Sequence, residues 1–198
     1  MTRRPPLRDL YATDFAAACA EMAEAVAQFE PDLVVGIETG GARVAEAMVD
    51  GLGSPQLVGV RVQRPATKLK SRMSLGRLFS RLPRGVVDLL RWAEVEMREA
   101  TLRSQGSSVE SGARALLATS ALQDAATGAR RVLIVDDTID SGRTLSVVKR
   151  AVELAEPAAE IRTAVLASTW RRPPVQPDYC LYGRCLLRMP WSFDAERP

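Results

Sequence analysis

The chain contains no histidine among its 198 residues. This absence excludes Ser-His-Asp and Cys-His hydrolysis, histidine-ligated metal sites and histidine general bases. Any proton transfer that the chain performs therefore falls to carboxylates, lysine, tyrosine or water.

Cysteine and long apolar runs are also scarce. The cysteines Cys19, Cys180 and Cys185 are odd in number and lack framework spacing, which argues against a disulfide scaffold. No apolar run approaches the ~20 residues of a membrane-spanning helix, and no apolar stretch follows the basic N-terminus as it would in a secretory signal. We therefore expect a cytoplasmic protein with no membrane partner.

Lysine is rare, although the formal net charge is +3. The lysines are Lys68, Lys70 and Lys149, and the one strongly basic run is Arg61–Arg84. Nucleic-acid binding requires a concentrated basic face with aromatic or base-reading partners. We interpret the run as attracting an anionic small ligand, and we expect no nucleic-acid partner for an enzyme.

The order of apolar patterns predicts an α/β fold with a mostly parallel sheet flanked by helices. The first half predicts a helix capped by Thr13, a buried strand LVVGI after Asp32, a second helix, and a strand at Leu57–Val62. The second half predicts a strand at Val132–Val135, a helix at Gly142–Ala155 and a strand at Ile161–Ala167. Ligands are expected at the carboxyl ends of these strands.

We predict one domain over residues 1–198. Residues 63–130 interrupt the alternation with a basic loop and further helices, which we interpret as an insertion or a lid. One of these helices is predicted over about 85–103 from its apolar stripe, and the capping-box spacing of Ser107–Glu110 begins another. Residues 168–198 are predicted to form a hood that binds the acceptor.

The stretch DDTIDSGRT, residues 136–144, lies where a buried strand passes into a helix. Ser141, Gly142 and Thr144 can present amides and hydroxyls to a phosphate at the helix N-terminus, and Arg143 adds positive charge. The paired carboxylates Asp136 and Asp137 suit sugar hydroxyls or a hydrated Mg²⁺. The stretch therefore indicates a sugar-phosphate site.

Three other phosphate-site patterns fit less well. A response-regulator receiver needs a second acidic strand end and a later lysine, whereas the only lysine that follows, Lys149, lies in the next predicted helix. The haloacid-dehalogenase pattern needs Asp-x-Asp, and Thr138 stands at the second position. The Gly-Lys-Ser/Thr of a Walker A loop is absent.

VLIVDDTIDSGRT, residues 132–144, resembles the phosphoribosyl-pyrophosphate (PRPP) motif of the type I phosphoribosyltransferases: four apolar residues, two acids, two variable residues, then Asp, Ser or Thr, Gly, any residue, and Thr. VVGIETGGARVA, residues 34–45, resembles the pyrophosphate loop of the same family. The resemblance implies the type I phosphoribosyltransferase fold, with a small hood and, in this chain, a helical insertion.

The resemblance also implies roles for residues. Asp136 and Asp137 would hold the ribose hydroxyls and water on Mg²⁺, and Asp140 would be the general base near the acceptor nitrogen. Pyrophosphate would lie on Thr39, Gly40 and Gly41, with a cis peptide bond near Thr39. The remaining implied PRPP contacts are Thr138, Ser141, Gly142, Arg143 and Thr144, and the basic residues of a closing loop are Arg64, Lys68, Lys70 and Arg72.

The C-terminal LLRMPW resembles the end of the xanthine/guanine and hypoxanthine phosphoribosyltransferases, with two differences. Ser168-Thr169-Trp170 stands where those enzymes place a lysine that reads the purine oxo group, and Leu186 stands where they have an aromatic residue. The candidates for acceptor binding are therefore Thr169, Trp170, Leu186 and Trp191, with Arg171 or Arg172 as a substitute donor.

These features predict a Mg²⁺-dependent phosphoribosyltransferase of the purine-salvage kind, which moves the phosphoribosyl group of PRPP to a purine-like or other nitrogen acceptor. We expect a homo-oligomer, either a dimer or a tetramer. The alternative is a regulator of the same fold that senses PRPP or nucleotides and binds RNA through the basic run. A further role in protein interaction is possible for the inserted helices.

Overall fold

The structure is a computed structural model, and it describes residues 6–62, 86, 92–93, 97, 109–171 and 173–192. The elements, in chain order, are β1 (Leu7–Asp9), α1 (Ala12–Val26), β2 (Leu33–Ile37), α2 (Gly40–Met48), β3 (Gln56–Val60), α3 (Val109–Thr119), α4 (Leu122–Ala126), β4 (Arg131–Ile139), α5 (Arg143–Ala155), β5 (Glu160–Ser168), β6 (Tyr179–Gly183) and β7 (Leu186–Arg188). Short 3-10 helices follow α1 at Ala27–Phe29 and α2 at Asp50–Leu52.

Five strands form one sheet in the order β3-β2-β4-β5-β6, and every neighbouring pair is parallel. This arrangement confirms the predicted α/β fold. The strands β1 and β7 form a separate parallel ribbon in which Leu7 lies opposite Leu186. The ribbon joins the two ends of the described chain, whereas β6, which also lies in the predicted hood segment 168–198, pairs with β5 in the main sheet.

The sheet has an apolar core on each face because its central strands are buried on both sides. In β4, Leu133 and Val135 pack into the core that contains α1 and α2. The alternate residues Val132 and Ile134 pack into the core that contains α3, α4 and α5. The period-2 alternation of a strand thus places helices on both faces.

Several predicted boundaries differ from the structure. Helix α1 begins at Ala12 with Tyr11 at its N-cap, so the predicted cap at Thr13 is wrong. The strand predicted at Val132–Val135 is too short, because backbone pairing with β5 continues through the acidic residues, as far as Ile139 opposite Ser168. Ladder hydrogen bonds use backbone groups, so polar side chains at the sheet edge do not end the strand.

Helices α3 and α4 form part of the second core. Ala113, Leu116, Leu122 and Ala126 are all buried, and they pack with α5 and with strands of the sheet. The described end of the predicted insertion is therefore a structural layer of the fold. Most of residues 63–108, including most of the helix predicted over 85–103, lies outside the described residues.

Asp32 ties together the amino ends of three strands. Its carboxylate accepts hydrogen bonds from the backbone N–H groups of Arg130 and Arg131, both at 2.9 Å. Its backbone carbonyl accepts from Gln56 N–H at 3.1 Å. Burial disfavours the charged carboxylate, but these backbone donors outweigh it and lower the pKa of Asp32. The hydrogen bonds to the ionised Asp32 carboxylate therefore stabilise the fold at any pH above the pKa that Asp32 has in the unfolded chain. This stabilisation is lost as the pH falls through the lower pKa that Asp32 has in the folded protein.

The three cysteines are free thiols. Burial raises the pKa of Cys19 to about 12, and burial is also the main cause that raises the pKa of Cys180 and Cys185. All three side chains are therefore protonated near neutral pH and are poor nucleophiles.

No helix in the described ranges combines the length and the apolar character needed to cross a bilayer.

The core position of α4 predicts that Leu122→Ala lowers the free energy of unfolding by about 2–5 kcal/mol, because Leu122 is fully buried. The matched control is Leu57→Ala in β3, where the side chain is 37% exposed and a loss of about 1 kcal/mol or less is expected. Urea unfolding followed by circular dichroism measures both values. Equal losses would contradict a core role for α4.

Candidate active site

The crevice at the carboxyl edge of the sheet lies between β2 and β4. From β2 the chain passes through α2 to β3, and from β4 it passes through α5 to β5. The two connections leave neighbouring strands in opposite directions and on opposite faces of the sheet. Ligands of open α/β sheets bind at such a point, where the strand order reverses.

The predicted pyrophosphate loop forms the N-terminus of α2 in this crevice. The peptide bond between Glu38 and Thr39 is cis, as the resemblance implied. Thr39 occupies the N-cap position, and no side chain of the described residues caps the helix. The first amides of α2 therefore point into the crevice without an intrahelical partner, which favours an anion there.

Gly40 and Gly41 bring this loop into contact with the acidic pair. A Cβ at Gly40 would overlap the Asp137 carboxylate, and one at Gly41 would lie 2.7 Å from Asp136 Cα. Only glycine permits so close an approach of the backbone. The structure thus brings the two motifs, which are ~100 residues apart in sequence, into one site.

Asp136 and Asp137 lie near the end of β4, and Asp136 is 8% exposed. Asp137 N–H donates to Asp136 Oδ1 at 3.0 Å, and Thr138 N–H donates to Asp137 Oδ1 at 2.7 Å. No group of three or more acidic or cysteine side chains in the described ranges could form a metal cage. Two carboxylates beside a phosphate site fit Mg²⁺, which is usually held by one or two carboxylates together with substrate oxygens and water.

The predicted phosphate loop connects β4 to α5. Gly142 occupies the N-cap of α5 with a φ of 74°, which favours glycine and leaves no N-cap side chain. The first amide of the helix, Arg143 N–H, donates a long hydrogen bond of 3.4 Å to Ser141 Oγ. A Cβ at Gly142 would lie 2.7 Å from Val175 Cβ, so the loop after β5 covers the phosphate loop. The N-terminus of α5 therefore combines backbone amides with the Ser141 hydroxyl, and a neighbouring loop encloses it.

Asp140 contacts Thr169, the first residue after β5. The Thr169 hydroxyl donates a short hydrogen bond to Asp140 Oδ1 and lies 3.2 Å from the carbonyl oxygen of Ile139. Thr169 N–H donates to the same carbonyl at 2.9 Å. Thr169 is 7% exposed, so the predicted base is linked to a buried hydroxyl.

Two buried donors follow the ends of β5 and β6. Trp170 Nε1 and Arg184 Nη2 are inaccessible to solvent and have no hydrogen-bond partner among the described residues. Cys185 N–H donates to the Ser168 carbonyl at 3.0 Å, which joins the turn that contains Arg184 to the strand end that precedes Trp170. Two buried donors without a hydrogen-bond partner among the described residues therefore belong to the segments that follow β5 and β6.

The other residues predicted to bind the acceptor lie in and beside the ribbon of β1 and β7. Leu186 is half-buried in β7 opposite Leu7. The Trp191 ring meets the Phe15 ring edge-on at 5.1 Å and lies beneath the Arg43 guanidinium at 4.9 Å. These contacts hold Trp191 against α1 and α2.

The remaining basic candidates are mostly undescribed. Arg171 is exposed, whereas Arg172 and the predicted closing-loop residues Arg64, Lys68, Lys70 and Arg72 lie outside the described residues.

Glu38, Val175 and Arg184 were not predicted as site residues from the sequence, and Arg61 was predicted only as part of the basic run Arg61–Arg84. The Glu38 carboxylate binds Arg61 Nε at 2.9 Å, and Glu38 N–H donates to the Val60 carbonyl at 2.8 Å. This pair places a largely exposed guanidinium at the carboxyl end of β3, close to the pyrophosphate loop. The position of Arg61 directly after a strand was the signal that could have identified it.

Solved structures with a similar fold include phosphoribosyltransferases. The chain aligns with a purine phosphoribosyltransferase from Pyrococcus horikoshii at 22% identity and a TM-score of 0.57, covering 97% of this chain and 96% of that one. It aligns with a Helicobacter pylori xanthine-guanine-hypoxanthine phosphoribosyltransferase at 13% identity and a TM-score of 0.57, covering 95% of each chain. At these identities the likeness establishes the fold.

A third similar structure is a hypothetical protein from Neisseria gonorrhoeae with bound ppGpp, at 15% identity and a TM-score of 0.50, covering 98% of this chain and 92% of that one. No curated protein matches the sequence significantly. Residues 9–193 match the family model described as the phosphoribosyl transferase domain, so the chain belongs to that family.

Proposed function

We propose that the chain transfers the 5-phosphoribosyl group of PRPP to a ring nitrogen of a purine-like acceptor, with Mg²⁺ and with release of pyrophosphate. The observation that carries the proposal is the contact of Gly40 and Gly41 with Asp136 and Asp137. It joins two helix N-termini and a pair of carboxylates in one crevice. Family membership makes the chain a pentosyltransferase, and the proposal concerns its substrates and its metal.

PRPP suits this crevice because it has an anionic group at each end of a ribose. The 5′-phosphate would lie on the loop from Asp140 to Thr144 at the N-terminus of α5, and the pyrophosphate on Thr39–Gly41 at the N-terminus of α2. Both sites use unpaired amides and the positive end of a helix dipole. Arg61 lies next to the pyrophosphate site, where its charge is balanced by Glu38 and its remaining N–H groups are donors for an anion.

The two carboxylates would lie between these anion sites. Asp136 and Asp137 would hold the ribose hydroxyls and water on the metal, and a metal bound there would offset their repulsion toward the neighbouring pyrophosphate. Mg²⁺, when bound, would neutralise charge on the departing pyrophosphate.

Departure of pyrophosphate builds negative charge on the leaving oxygen and positive charge on the sugar ring. The amides of the Thr39–Gly41 loop would stabilise the leaving group, and the neighbouring carboxylates would stabilise the oxocarbenium-like ring. Asp140 would accept the proton from the acceptor nitrogen, because no histidine is available.

The unpaired donors Trp170 Nε1 and Arg184 Nη2 support an acceptor that presents oxygen or nitrogen acceptor atoms. A buried donor without a partner costs about 1–3 kcal/mol, so an acceptor that reaches it through a local movement of these segments gains affinity. An oxopurine edge provides such atoms. Two similar structures are described as purine and xanthine-guanine-hypoxanthine phosphoribosyltransferases, which favours this acceptor class.

The predicted homo-oligomer and the predicted cytoplasmic location stay predictions. Light scattering coupled to size-exclusion chromatography measures the first, and fractionation of cells measures the second.

The proposed function is tested by incubating the protein with PRPP, Mg²⁺ and a panel of purine, pyrimidine and other nitrogen acceptors. Product mass identifies the acceptor, and pyrophosphate release measures turnover. Tight binding of PRPP or nucleotides without turnover of any acceptor would favour the sensing regulator. Absence of both binding and turnover would contradict the PRPP site itself.

Asp136→Asn and Asp137→Asn are each expected to weaken Mg²⁺-dependent PRPP binding at least tenfold, because a neutral amide cannot replace a carboxylate toward a metal and its water. Calorimetric titration with and without Mg²⁺ measures the effect. The matched control is Asp124→Asn in α4, an exposed position that should leave binding unchanged. Unchanged PRPP binding in the first two variants would refute the assigned site.

Arg184→Met and Trp170→Phe are each expected to raise the KM for the acceptor, by about 10–100-fold for the charged donor and about tenfold or less for the indole. Both substitutions keep most of the packing volume, so the KM for PRPP should stay within a factor of two. Arg114→Met, at a largely exposed position in α3, is the control. A matching rise in the KM for PRPP would point to general disruption of the site.

A further inference from the structure

We infer that Thr169 is a positioning residue for the proton transfer. Its hydroxyl holds the Asp140 carboxylate in the orientation that accepts the proton from the acceptor nitrogen, and then turns to the Ile139 carbonyl once the proton has arrived. The inference rests on the proposed function and extends it to a residue that stands where the enzymes that this chain resembles have a lysine.

Thr169 is fixed by its own backbone. Its N–H donates to the Ile139 carbonyl at 2.9 Å, and Ile139 ends β4 opposite Ser168, which ends β5. Asp140 and Thr169 are therefore the first residues after two neighbouring strands. The branched Cβ of threonine restricts χ1, so a fixed backbone also restricts the position of the hydroxyl.

The Thr169 hydroxyl has one proton to donate and two oxygen atoms within reach that can accept it in a hydrogen bond. Thr169 Oγ1 hydrogen-bonds Asp140 Oδ1 and lies 3.2 Å from the Ile139 carbonyl oxygen. A hydroxyl donates one proton, and an ionised carboxylate is a stronger acceptor than a peptide carbonyl. The hydroxyl therefore points to Asp140 while the carboxylate is ionised and ready to act as a base.

The reaction changes which oxygen is the stronger hydrogen-bond acceptor for the Thr169 hydroxyl. The ring nitrogen of the acceptor gives its proton to Asp140 and forms a bond to C1 of the ribose with its electron pair. The bond from C1 to the pyrophosphate oxygen breaks, and its electron pair leaves with pyrophosphate. The protonated carboxyl is a weaker acceptor, and the Thr169 hydroxyl turns to the Ile139 carbonyl without making or breaking a covalent bond.

This exchange keeps a buried hydroxyl bonded in both protonation states. Thr169 is 7% exposed, so solvent has little access to it, and a buried polar group left without a partner is costly. A lysine at this position would add a positive charge that favours the ionised carboxylate and opposes its protonation. A neutral hydroxyl orients Asp140 without adding that charge.

The test compares Thr169→Val, which keeps the shape and removes the hydroxyl, with Thr169→Ser, which keeps the hydroxyl. For the acceptor that the panel identifies, Thr169→Val should lower kcat about 10–100-fold, as expected for loss of a hydrogen bond to a charged group. Its KM for PRPP should stay within a factor of two. Thr169→Ser should recover most of the lost kcat. Thr169→Ala replaces the valine variant if that variant does not fold.

A double-mutant cycle with Asp140→Asn separates positioning from packing. If Thr169 acts through Asp140, Thr169→Val should lower kcat in the wild-type protein and have little further effect in Asp140→Asn. An equal loss in both backgrounds, a wild-type kcat in Thr169→Val, or a serine variant as slow as the valine variant would overturn the inference. If the wild-type protein turns over an acceptor while one of these three results is observed, only the inference about Thr169 is wrong. If the wild-type protein is inactive with every acceptor, the inference and the proposed function are both wrong.

Discussion

The close approach of the Gly40–Gly41 backbone to Asp136 and Asp137 is the constraint on which the candidate site depends. Neither glycine can carry a side chain, because the space that a Cβ needs is filled by the acidic pair or by its backbone. The approach is possible because β2 and β4 are neighbours in a parallel sheet and end at the same edge. The amides of one loop and the carboxylates of the other therefore face the same small volume, which suits a ligand that is anionic at its ends and rich in hydroxyls between them.

The two-sided core makes this edge rigid. Helices α2 and α5 leave β2 and β4 on opposite faces of the sheet, and each is anchored in its own apolar core. Because the helices cannot shift without disturbing a packed layer, their N-termini are preorganised toward the crevice. At the opposite edge, Asp32 ties the starts of β2, β3 and β4 through backbone donors. A site that relies on backbone amides requires this rigidity, since amides have no side-chain freedom with which to adjust.

The fold and the meeting of the two candidate PRPP loops could be predicted because they depend on local patterns. Buried runs, a glycine at a left-handed position and a strand–loop–helix order are visible in a single sequence. The length of β4 was underestimated, since its last residues are held by pairing with β5 and not by their own apolar character. The N-terminus of α1 was misplaced for a similar reason: Thr13 is a good cap by type, yet the helix already includes it.

The candidate acceptor side could be predicted only in part, because it is assembled from long-range contacts. Thr169 and Trp170 were candidates from the sequence, but the hydrogen bonds from the Thr169 hydroxyl to residues ~30 positions earlier are visible only in the structure. Arg184 resembles any other arginine in the sequence until its buried Nη2 is found without a partner among the described residues. The proposed PRPP side uses mainly backbone amides, glycines and two carboxylates, whereas the proposed acceptor side uses side chains that follow β5 and β6. Single substitutions can change side chains without moving the strands that carry them. Under the proposed function, the acceptor can therefore change while the phosphoribosyl donor stays fixed.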